Sequence, residues 1–124
     1  MYSFPKKYRL LKRFEFRRVE NAGKRKRLDH VIVVFAENSG DSPRLGLVVS
    51  RRVGNAVIRN RVKRIIREFF RYHRLTLSPV DVVVIARKGA NLPERDLLFK
   101  ELDTAFRWIC SCNSDVQKNA ALSY

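Results

Sequence analysis

The sequence predicts an α+β fold in which one small sheet is covered by helices, and three observations carry that prediction. VIVVFA at 31–36 and SPVDVVVIAR at 78–87 are apolar, β-branched runs with strand character. Between them, GNAVIRNRVKRIIREFF at 54–70 repeats its apolar residues at helical spacing. The chain has 124 residues, enough for one domain with a modest core and too few for two.

In chain order, FEFRRVENAG reads as a short helix ending near Gly23, a C-cap residue, with Phe16 and Val19 on one face. KRKR at 24–27 leads into the strand at 31–36. ENSGDSP at 37–43 collects Gly, Pro, Asn, Asp and Ser, and is expected to be a turn joining two antiparallel strands. In RLGLVVS, Leu45, Leu47 and Val49 share one face; Gly46 and Val48 lie on the other, where small side chains leave the sheet open. Asn55 can cap the basic helix. On that helix Ile58, Val62, Ile65, Ile66 and Phe69 form one stripe. Asn60, Lys63, Arg64, Arg67 and Arg71 fall opposite, with Arg59 and Arg61 at the margins. The strand at 78–87 is expected to be buried on both sides. NLPE offers Asn91 as the cap of a last helix that turns Leu98, Leu102, Ala105, Phe106 and Ile109 inward. The domain is expected to span 1–112, with 113–124 a frayed tail.

Charge is the unusual feature. There are 27 Lys and Arg against 12 Asp and Glu, a net charge of +15. Such an excess opposes compaction unless a polyanion neutralises it, so nucleic acid is the leading partner and an anionic membrane surface the second. Residues 6–27 hold eleven bases and two acids, and 51–74 hold nine and one, so the charge is concentrated like a footprint. No apolar run approaches the ~18–20 residues of a membrane span, and the N-terminus lacks a signal-peptide core, so a cytoplasmic protein is expected. Cys110 and Cys112, one residue apart, suit neither a disulfide framework nor a zinc site, and read as bystander thiols.

Catalysis by the chain alone is not expected. The sequence has no carboxylate pair near a histidine, no Gly-rich phosphate loop and no supported Ser/His/Asp arrangement. Asp81, inside a strand, reads as hydrogen-bonded structure and not as a general base. Binding chemistry is abundant instead. Arginine holds phosphate bidentately and stacks on bases, and Asn60 can read a base edge or a 2′-OH. Phe16 stays open between core packing and stacking on an unpaired base.

RLGLVVSRRVGNAVIRNRVKRIIREFFR followed by DVVVIARKGA resembles the protein subunit of bacterial ribonuclease P. The Arg59-Asn60-Arg61 triplet in its G-N-A-V-x-R-N-R-x-K-R frame carries the resemblance, which extends over about residues 9–108. It implies a fold like domain 2 of ribosomal protein S5: a mostly antiparallel sheet of about four strands, with a left-handed βαβ crossover, an exception to a strong rule. It also implies a large catalytic RNA, with this chain assisting removal of the 5′ leader from precursor tRNA. Magnesium, held mainly by the RNA subunit and substrate, does the hydrolytic chemistry. By position, Arg51, Arg52, Arg59, Asn60, Arg61, Lys63, Arg64, Arg67 and Arg71 are the implied RNA-binding residues. Phe16, Arg9, Lys12, Arg13 and Lys88 are the implied leader-cleft residues; no catalytic or metal-binding residue is implied. The sequence departs from the family at Glu20 and Val34, where aromatics are frequent, and at His30, where an apolar or aromatic residue is common.

A structural RNA-binding protein of ribosomal type shares the composition and fold class, and only the Arg-Asn-Arg frame separates the two. A DNA-binding module lacks a visible dimerisation repeat or second recognition element. A membrane-surface helix is disfavoured because a core explains the apolar stripe.

Overall fold

A computed structural model of the chain describes residues 9–10, 12–91 and 93–122, with side chains followed through Cys112. Its elements are α1 (Arg13–Ala22), β1 (Lys24–Arg27), β2 (Val31–Glu37), β3 (Arg44–Val48), α2 (Ala56–His73), a 3-10 turn (Arg74–Thr76), β4 (Val80–Ala86) and α3 (Arg95–Leu122). The four strands form one sheet in the order β1-β2-β4-β3. β1 with β2 and β2 with β4 pair antiparallel, and β3 with β4 pairs parallel. The connection between the parallel neighbours is α2, as the resemblance implies.

The sheet departs from expectation in two places. The segment 37–43 reverses the chain but does not join paired strands, because β4 lies between β2 and β3. Turn residues mark where a chain turns and not which strand it pairs with afterwards. β4 is buried at every position except half-buried Ile85, and such a strand gains most from the centre of a sheet covered on both faces. KRKR, in turn, is itself a strand, pairing Lys24 with Phe35 and Arg27 with Ile32.

One face of the sheet carries the main core. Val31, Val33 and Phe35 of β2, Leu45 of β3, and Val80, Val82 and Val84 of β4 meet Val62, Ile65, Ile66, Phe69 and Phe70 of α2 and the inward stripe of α3. The expected helix stripe is buried apart from half-buried Ile58, and Leu98, Leu102, Ala105, Phe106 and Ile109 are all buried. Each large side chain taken fully from water contributes about 1.5–3 kcal/mol. Cys110 and Cys112 are free thiols, half-buried beside this core.

Among the described residues the other face is covered by α1 and Leu10, through a smaller cluster of Leu10, Val19, Val34 and Val83 with Phe16, Ile32, Ala36 and Ile85 at its edge. Gly23 ends α1 as expected, but with φ −85°. Its glycine identity comes from crowding: a Cβ there would stand 2.4 Å from the Val19 carbonyl oxygen and 2.5 Å from that of Phe35. α3 begins at Arg95, and Glu94 accepts the first helical bond from Leu98 N at 3.1 Å. Asn91 therefore lies before the helix and does not cap it. α3 is helical to Leu122, so it runs on beyond residue 112; residues 123 and 124 lie outside the described residues.

Candidate nucleic-acid interface

The basic helix is built to show its cations. Asn55 caps it, Oδ1 accepting from Ile58 N at 3.0 Å. Arg59, Lys63 and Arg67, spaced four apart, form one half-buried row; Asn60, Arg61 and Arg64 are exposed. Glu68, the one acid of the helix, is engaged by Arg95 of α3 at 2.7 Å. That hydrogen bond holds the Glu68 carboxyl below the usual range against the effect of burial. Among the described residues, none of Arg59, Arg61, Lys63, Arg64 and Arg67 makes an ion pair. Arg59 Nε is buried without a hydrogen-bond partner among them.

The row of cations borders a groove of about 140 Å³ lined by Arg9, Leu10, Phe16, Leu45, Leu47, Lys63 and Arg67. Arg9 is brought there by a parallel bridge to Leu45, and Leu10 N donates to the Leu45 carbonyl at 2.9 Å. Burial, then the charge of Arg9, push the Arg67 guanidinium pKa down. Arg9, Lys63 and Arg67 converge in this lining, and an anion between them would relieve their mutual repulsion. Phe16 lies directly over Gly46: a Cβ on that glycine would stand 2.6 Å from Phe16 Cε1. The ring is thus half-buried, one side on β3 and the other toward the groove. Packing and ligand contact are both open to it.

A buried ion network fixes α1 over the sheet. Asp81 of β4, 0% exposed, accepts from Arg44 Nε at 2.9 Å, Arg44 Nη2 at 2.8 Å and Asn38 Nδ2 at 2.9 Å, and from Arg18 Nη2 of α1. Arg44 Nη1 also reaches Glu15 of α1 at 2.8 Å. Burial pushes the Asp81 carboxyl up, but the hydrogen bonds from Arg44 and Asn38 and the charges of Arg44 and Arg18 outweigh it, leaving the pKa below the ordinary value. The structural reading of Asp81 stands. The partners that make it a clamp on α1 were not legible, since they come from three separate segments.

Opposite residues of neighbouring strands share a face, so the α1 side of the sheet is a set of rows. α1 covers the row Ala36–Asp81–Arg44 and the row Arg25–Val34–Val83–Gly46 as far as β2. The next row, Arg27–Ile32–Ile85–Val48, is open: Ile32 and Ile85 are half-buried and Val48 is 36% exposed. An apolar strip one residue wide therefore runs across the sheet beside Phe16. Val34 lies beneath α1 at 0% exposure, and Glu20 is exposed. His30 Nδ1 is paired with Glu101 at 2.8 Å, tying the start of β2 to α3.

Of the implied residues, the structure gathers Arg9, Phe16, Lys63 and Arg67 in one groove. Arg51 and Arg52 are exposed in the turn before α2, and Arg71 is half-buried near its end, its guanidinium 5.1 Å from the Tyr72 ring. Lys12 and Arg13 are exposed at the start of α1, and Lys88 in the turn after β4; none of these three lines the groove. The apolar floor of Leu10, Leu45 and Leu47 was not singled out as part of a site, since such residues read as core.

Comparison with known proteins gives the same picture. A family model described as Ribonuclease P matches residues 4–110. The ribonuclease P protein component of Desulforapulum autotrophicum is 44% identical over 109 residues, covering 82% of this chain and 93% of that one. The RNase P protein of Staphylococcus aureus superposes with a TM-score of 0.77 at 34% identity, over 81% of this chain and 93% of that one. For the RNase P protein of Thermotoga maritima the TM-score is 0.72 at 32% identity, over 78% and 93%. With sequence and fold agreeing over most of its length, the chain belongs to the bacterial ribonuclease P protein family.

Proposed function

We propose that the chain works as the protein subunit of ribonuclease P, binding the catalytic RNA through α2 and the 5′ leader of precursor tRNA through the groove beside Phe16. In this role it assists the magnesium-dependent endonucleolytic removal of the leader, with the RNA as catalyst. The observation that carries the leader half is the convergence of Arg9, Lys63 and Arg67 around an apolar floor with Phe16 at its edge. Clustered cations suit phosphates, and a flat ring with one accessible side suits an unpaired base. Duplex nucleic acid would leave the ring and floor unused.

On α2, Arg59, Arg61, Arg64 and Arg71, with Arg51 and Arg52 before it, hold phosphates of the RNA subunit, and the exposed Asn60 amide reads a base edge or 2′-OH. Lys12, Arg13 and Lys88 serve the leader from outside the groove. Among the described residues, no group of three or more His, Cys, Asp or Glu side chains could hold a metal ion. In this proposal magnesium is held by the RNA and the substrate. No helix among the described residues is long and apolar enough to cross a membrane, and the place of work is the cytoplasm.

The test compares affinities of RNA alone and of the reconstituted holoenzyme for precursor and mature tRNA. Adding the protein should tighten precursor binding well beyond that of mature tRNA. Equal tightening of both would remove the leader from the proposal.

A further inference from the structure

The basic strand β1 lies at the edge of the sheet opposite β3, which carries the groove. Its four residues, Lys24, Arg25, Lys26 and Arg27, include no acid and make no ion pair among the described residues. Charged edge strands have an ordinary use, since they block edge-to-edge aggregation. That use does not depend on which face a charge occupies, and here the faces differ. Lys24 and Lys26 stand on the α3 side, where Lys26 Nζ lies 5.8 Å from the centroid of the Trp108 ring. Arg25 and Arg27, both exposed, stand on the α1 side, opposite Val34 and Ile32. Arg27 thereby ends the one row that α1 leaves open.

We infer that Arg25 and Arg27 form the far rim of the leader site, holding distal leader phosphates after the strand has crossed the sheet; this rests on the leader reading above. Four strands spaced ~4.8 Å apart put β1 about 14 Å from β3. A single strand leaving the groove of Arg9, Lys63 and Arg67 meets first the apolar strip of Val48, Ile85 and Ile32, then two arginines. Cations at both edges with an apolar floor between them match a single-stranded backbone with its bases turned inward. The site thus measures leader length, because short leaders never reach β1.

The test uses the reconstituted holoenzyme carrying Arg25→Ala and Arg27→Ala, with precursor tRNAs bearing leaders of about two and about ten nucleotides, a range that brackets single-strand sites. Each lost single-strand phosphate contact should cost about fourfold at 0.15 M salt, so the pair costs roughly fifteenfold on the long leader and lowers its salt slope by about 1.4. Short-leader and mature tRNA affinities should not change, nor should the circular dichroism of the protein. Lys24→Ala with Lys26→Ala, on the other face, should show no dependence on leader length. An equal loss for every substrate, or no loss for any, overturns the inference. Phe16→Ala run in parallel separates the two levels. Should it also spare the leader, the leader reading fails with the inference; should it alone cost leader affinity, only the inference fails.

Discussion

Replacing Asp81 with alanine removes the carboxylate that accepts from Arg44, Asn38 and Arg18 at the heart of the α1 face. Breaking a buried ion pair from one side costs about 3–5 kcal/mol. Arg44 and Arg18 side chains are 31% and 43% exposed, so both can turn partly to water. The lower end, about 3 kcal/mol, is therefore expected. For a domain of this size, each kcal/mol moves the midpoint by about 4 °C, so thermal unfolding followed by circular dichroism at pH 7 should show Tm lowered by about 12 °C. The pH dependence follows from the depressed Asp81 pKa. Its stabilisation is complete above the unfolded carboxylate pKa of about 4 and fades as the pH falls through the lower folded value. The Tm gap between wild type and variant should therefore be constant near neutrality and narrow in acid. A gap of only about 2 °C at pH 7, or one that acid leaves unchanged, would refute the clamp.

The remaining predictions concern the interface and its helix. Phe16→Ala should cost roughly 1–3 kcal/mol of precursor affinity with little effect on mature tRNA. Because the ring is half-buried, the stability loss should stay below the ~3–5 kcal/mol of a core phenylalanine; equal loss for both tRNAs with a collapse of Tm would make it a packing residue only. Arg61→Ala and Arg64→Ala should each lower the salt slope of RNA binding by about 0.7–0.9, whereas Asn60→Ala should cost affinity at constant slope, since an amide releases no counterion. Unchanged slopes for the arginine variants would mean that these side chains do not meet phosphate. Asn55→Ala should cost about 1 kcal/mol in chemical denaturation through loss of the cap to Ile58 N; an unchanged midpoint would leave that bond without energetic weight.

How far the fold was legible depended on how locally each element is determined. α2 was readable because Ile58, Val62, Ile65, Ile66 and Phe69 repeat at helical spacing, and β4 because its apolar run matches a buried strand. β1 was not: KRKR has no hydrophobic period, and its extended state comes from pairing with Phe35 through Ile32. Strand order was equally hidden, since 37–43 looks the same whether or not β4 intervenes. At the interface, the α2 cations were visible from spacing, and the family resemblance supplied Arg9 and Phe16. Their convergence depends on the Arg9–Leu45 bridge and on the glycine under Phe16, contacts between segments distant in the chain. Lys12, Arg13 and Lys88 do not line that groove, and their sequence neighbourhoods carry no signal that separates lining from flanking cations.

The most direct measurement is cleavage of a precursor tRNA by a bacterial ribonuclease P RNA, with and without this chain, across a magnesium series. The protein should accelerate a single cut at the 5′ end of the mature sequence, most strongly at low magnesium, where its cations offset phosphate repulsion. Protein without RNA should leave the substrate intact. Site-specific cleavage by the protein alone, or no acceleration at any magnesium concentration, would contradict the assignment.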